Sequence, residues 1–156
     1  MSGRAAINRH RQRVEAAFGR VNTDTEDLEQ LSDSAKYLCI LVSGFIERSL
    51  VEIAMEHARR MGAPSLQRFV EIHTARFTNA KTEKVLQFVS SFDPEWRREA
   101  ESILVDEYKD AFDSVVNLRN QIAHGSSVGL TYVQIKQYFM AILHVIEYLQ
   151  DLCIPE

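Results

Sequence analysis

A chain of 156 residues, 46% of them hydrophobic, can bury roughly two thirds of the surface its unfolded form exposes, so it needs no disulfide or metal in order to fold. Its net charge of -4 excludes an obligate DNA coat. With no run of eighteen apolar residues and an Arg-rich start that lacks a hydrophobic stretch, neither a membrane span nor a secretory leader is expected, and the chain reads as cytosolic.

Few glycines and prolines, and apolar residues at three-and-four spacing, predict an all-α single-domain bundle of about five to six helices. Residues 1–24 read as a basic N-terminal helix and acidic connector, residues 25–156 as the main helical domain, and the two as one globular unit. The first helix, about 4 to 20, carries Arg4, Arg9, Arg11, Arg13 and Arg20 against Glu15 alone, which leaves about -8 on the remainder. It is either an RNA-facing patch or a solvated amphipathic helix.

NTDTEDLEQ then offers N-cap residues for a long second helix, about 25 to 61, that stops at Gly62-Ala63-Pro64. Its middle, YLCILVSGFIERSLVEIAM, is apolar around most of its circumference, as in the central helix of a bundle or one also covered by a partner. PSLQRFVEIHTARF and AKTEKVLQFVSSF predict shorter helices at about 64 to 77 and 80 to 91. Asp93-Pro94-Glu95 opens a fifth helix expected to run unbroken to His124 and to stop at Gly125. Thr131 and Gln134 form a capping box for the last one, about 131 to 152. The two cysteines, Cys39 and Cys153, fall in apolar helical stretches and read as reduced core thiols.

Chemistry concentrates in RNQIAHG, residues 119–125. On a wheel of the fifth helix, Asn117, Asn120 and His124 share the polar face, opposite Phe112, Val115, Leu118 and Ile122. Asn120, four residues before His124, is placed to bond its ring and fix the tautomer. Arg119 projects from the edge of the apolar arc, where a guanidinium needs a carboxylate or a phosphate. Arg119 and His124 point about 140° apart on an ideal helix, so their convergence requires either a loosened last turn or a second subunit related by a two-fold axis. An arginine and a histidine suit cleavage of RNA by its own 2'-OH, because histidine exchanges protons near neutrality and the guanidinium fork pairs with phosphate oxygens. That reaction needs no metal and no cofactor.

The motif Arg119-Asn120-Gln121-Ile122-Ala123-His124, with four residues between arginine and histidine, resembles the HEPN superfamily, most closely its RiboL-PSP-HEPN branch. A long apolar helix early, the motif helix late, a short loop and a closing helix resemble that family's layout over about residues 25 to 152. The resemblance implies a metal-independent endoribonuclease, homodimeric through the motif helix, acting in toxin-antitoxin or anti-phage systems, with RNA as substrate and an inhibitor or antitoxin protein as partner. It leaves open a catalytically inactive dimeric module that binds a protein or RNA. Where one branch of the family carries a tyrosine two residues after the histidine, modified by a nucleotidyltransferase antitoxin, this chain has Ser126, so that mode of inhibition is not expected.

Glu47 lies in the apolar middle of the second helix and wants a cation. It either orients Arg119, or pairs with Arg48, or faces solvent. Ser43 and Gly44 would permit close helix approach at a dimer interface, or are ordinary core residues. His10, His57, His73 and His144 lack metal-ligand spacing and read as structural or surface residues. Ser126 and Ser127 set hydroxyls beside His124 in sequence, but no oriented acid accompanies them.

Overall fold

Side-chain caps fix where the helices begin. In the computed structural model, which describes residues 2–156, Ser2 accepts a bond from the Ala5 N–H and starts α1 (Gly3–Gly19). Asp27 does the same for the Gln30 N–H, so α2 (Leu28–Met61) begins three residues later than its acidic approach suggests. It stops at Gly62, whose φ of 79° is the left-handed conformation that glycine adopts without strain. Then follow α3 (Pro64–Thr74), α4 (Thr82–Ser90), α5 (Pro94–Ile103), α6 (Asp106–Ala123) and α7 (Tyr132–Cys153), the last behind the expected Thr131–Gln134 capping box. Among the described residues there are seven helices and no strand.

One expected helix is two. The pattern from Pro94 to His124 reads as continuous, yet the chain breaks at Leu104–Asp106, where Val105 is extended and Asp106 has a φ of 51°. No glycine or proline marks the break. Ile103 and Val105 are β-branched and hold a helix weakly, and an aspartate tolerates the left-handed region better than most residues. Leu104 at the break is 3% exposed, so packing of this side chain decides a bend that local propensity only permits. The break frees α5 to pack on α4 while α6 packs on α2 and α7.

The core forms where α2, α6 and α7 meet. Leu38, Val42, Ile46 and Leu50 recur every four residues along α2 and face Ile135, Ile142, Ile146 and Leu149 of α7, with Phe112 and Val115 of α6 between; all are at most 1% exposed. Each contributes about 1.5–3 kcal/mol by leaving water. Phe18 of α1 stacks on Phe139 at 5.2 Å between ring centres, and Phe45 meets Phe139 edge-on at 5.7 Å. Cys39 and Cys153 are buried free thiols, and burial pushes them up to about 11 and about 12.

The N-terminal arginines divide by partner. Arg4 bonds Asp151 at 2.9 Å and the Ile154 carbonyl at 3.0 Å, and Arg11 reaches Glu15 at 2.8 Å and Glu147 at 3.5 Å. Two of the five arginines thus tie α1 to the C-terminal helix and its end. At the other edge, Gly3 sits so close to α2 that a Cβ there would lie 2.6 Å from the Glu56 Cβ. Glu56 itself is 4% exposed, receives Arg59 at 2.7 Å and Arg60 at 3.1 Å, and is held at about 2 chiefly by the Arg59 bonds. No helix of the described residues is long and apolar enough to cross a membrane.

Candidate active site

The last turn of α6 is closed by its own backbone. The Ser126 N–H donates to the Gln121 carbonyl at 2.9 Å and the Gly125 N–H to that of Ile122 at 3.0 Å, with Gly125 at a φ of 76°: a Schellman motif. His124 is the C-cap, and its N–H still donates to the Asn120 carbonyl at 3.1 Å. The turn therefore does not loosen before Gly125. Arg119 and His124 keep their helical divergence of about 140°, and nothing among the described residues brings them together. The His124 ring is exposed and has no hydrogen-bond or ion-pair partner among the described residues.

Arg119 stands in a small polar network built from three elements. Its Nη1 donates to the Asn120 Oδ1 at 3.3 Å, and the Asn120 Nδ2 donates to the Oδ1 of Asn79, in the α3–α4 loop, at 3.1 Å. Asn120 thus serves the arginine, not the histidine ring that its four-residue spacing suggested. Glu47 of α2 lies beside the same group. Burial holds its carboxyl above the ordinary value, and this is offset by the Arg119 charge, by the Asn79 N–H and by Lys84. Glu47 is half-buried and feels the charge of Arg119, without a direct ion pair between them. Lys84 of α4 donates to the Thr78 carbonyl and rests its ammonium 5.0 Å from the Phe77 ring centre.

Asn79 and Lys84 were not among the residues that the sequence singles out. Only the asparagine left a trace, as a residue tolerant of the left-handed region between two predicted helices. Beyond Glu47 a groove of about 640 Å³ opens between α2 and α3, lined among others by Gly44, Arg48, Arg76 and Phe77. Gly44 is exposed, and a Cβ there would face open space. Ser43 is buried. Ser126 is exposed, and its part in the site is the backbone bond that closes α6.

Three of the four other histidines stand against aromatic rings. His57 meets Trp96 edge-on at 4.7 Å, His73 stacks on Phe69 at 3.8 Å, and His144 stacks on Tyr108 at 5.1 Å. Among the described residues no group of three His, Cys, Asp or Glu is arranged to hold a metal ion.

The family model described as RiboL-PSP-HEPN matches residues 8–154. The chain belongs to this family. No curated protein and no solved structure matches it. The match begins inside α1, so the family's domain takes in most of the basic helix as well as the bundle from residue 25 onward. In this RiboL-PSP-HEPN domain the arginine and histidine of 119–124 sit at the exposed end of the sixth helix, the first in a network with Glu47 and Asn79, the second without a partner.

Proposed function

We propose that this RiboL-PSP-HEPN protein is a metal-independent endoribonuclease that works as a homodimer in the cytosol, as a toxin or anti-phage effector held in check by a partner protein. The observation that carries this reading is an arginine tied to Asn120 and, five residues on, an exposed histidine with its ring free, both on the motif helix of the family fold.

In this reaction the RNA 2'-OH gives its proton to a base and attacks the neighbouring phosphorus. The bond from phosphorus to the 5' oxygen breaks, and that oxygen takes a proton, leaving a 2',3'-cyclic phosphate and a 5'-hydroxyl. His124 is the proton-transfer group, since an imidazole exchanges protons near neutral pH. Arg119 pairs with the non-bridging oxygens as negative charge builds on the phosphorane. Because the two side chains diverge on one helix, the reading places Arg119 of one subunit opposite His124 of the other across a two-fold axis.

The test is incubation of purified wild type and His124→Ala with labelled structured RNA in excess EDTA, followed by analysis of the ends. Cleavage by the wild type alone, with cyclic phosphate and 5'-hydroxyl ends, is the expected result. Equal cleavage by the variant, or none by a folded wild-type dimer on several RNAs, would overturn it, the latter in favour of an inactive module that binds protein or RNA through the same face.

A further inference from the structure

Two non-glycine residues among those described have positive φ, and one of them, Asn79 at 57°, lies against the motif. Outside glycine this conformation is uncommon, and it persists where the surroundings hold it. Its side-chain Oδ1 accepts the Nδ2 of Asn120 at 3.1 Å. The loop is pinned on either side, with the Phe77 N–H donating to Thr74 at 3.1 Å and the Lys81 N–H to the Asn79 carbonyl at 2.8 Å.

The order of donors and acceptors leaves one arrangement. A guanidinium only donates, so Asn120 must turn its Oδ1 toward Arg119, and its Nδ2 then needs an acceptor on the far side. Asn79 supplies that acceptor from forty-one residues away. We propose that Asn79 is a positioning residue: through Asn120 it sets the direction in which Arg119 presents its free N–H groups to a phosphate. The inference rests on the reading of Arg119 as the phosphate-binding arginine of the reaction. A glycine would keep the turn but drop the acceptor; an aspartate would keep both.

The experiment compares the full-length wild type with Asn79→Gly and Asn79→Asp in two measurements. The first is ¹⁵N relaxation of the Arg119 side-chain Nε, which reads its order with no RNA present. The second is cleavage kinetics on a labelled RNA. Expected are a mobile Arg119 in Asn79→Gly and an ordered one in wild type and Asn79→Asp. The kinetics should show kcat lowered on the order of tenfold to a hundredfold in the glycine variant, KM near that of wild type, and recovery in the aspartate variant. An Arg119 equally ordered in all three, or mobile already in the wild type, would overturn the proposal, as would a glycine variant with unchanged kcat. Wild type without any His124-dependent cleavage, but with an Arg119 whose order depends on Asn79, would remove the ribonuclease reading and keep Asn79 as the organiser of an arginine for another anion.

Discussion

Arg119 and His124, five residues apart on α6, leave the helix on different sides: the arginine toward Glu47 and Asn79, the histidine into solvent. In the proposed homodimer each site takes Arg119 from one chain and His124 from the other, and this has a numerical consequence. Mixing inactive Arg119→Ala with inactive His124→Ala, under conditions where subunits exchange, should restore about a quarter of wild-type activity, because half of the dimers would be mixed and each would hold one intact site. A site built within one chain gives no recovery at any mixing ratio, so the yield of labelled product against mixing ratio separates the two.

Glu56 predicts an acid-sensitive tie at the end of α2. Its folded carboxyl lies at about 2, well below the ordinary value of 4.5, held there first by Arg59 and then by Arg60 and the Gly3 N–H. A carboxyl depressed on folding contributes stability that is complete above the unfolded value and is lost as pH falls toward the folded one. The contribution is about 2–3 kcal/mol, and it should drain away between roughly pH 4.5 and 2. Urea melts of wild type and Glu56→Gln should differ by this amount at pH 7 and converge toward pH 2; a constant difference across that window would contradict the assignment.

Gly3→Ala tests the seating of α1. The added methyl would meet the Glu56 side chain at 2.6 Å and the Glu52 carbonyl at 2.9 Å, and one of these is backbone that cannot rotate away. The variant should lose about 1–3 kcal/mol. A thermal midpoint equal to wild type would mean that α1 does not lie against α2 as described.

Phe112→Ala removes a fully buried ring at the junction of α2, α6 and α7 and should cost about 3–5 kcal/mol, a large share of the stability of a domain this size. The loss should appear in the denaturant midpoint rather than in the slope.

Much of the bundle was legible because its boundaries are written in local chemistry. Asp93-Pro94, the Thr131–Gln134 box and Gly62 each act within a turn of where they stand, and each marks a real boundary. The α5–α6 break was not legible, since the apolar period carries on through Leu104 and the bend is decided by packing. The motif residues could be read from spacing alone. The partner of Asn120 could not, because it lies in a loop whose position depends on a left-handed residue and on the packing of α2 and α4. Spacing suggested a neighbour on the same helix, and tertiary structure supplied a different one.

The C-terminal end of a helix is an awkward landing place for a polyanion, since its unpaired carbonyls point outward and gather negative charge. At α6 two of those oxygens, on Gln121 and Ile122, are already occupied by the N–H groups of Ser126 and Gly125. A phosphate chain arriving at His124 would therefore meet an imidazole backed by a partly quenched helix end, and Gly125, the residue that allows the fold-back, would govern how closely negative charge can approach.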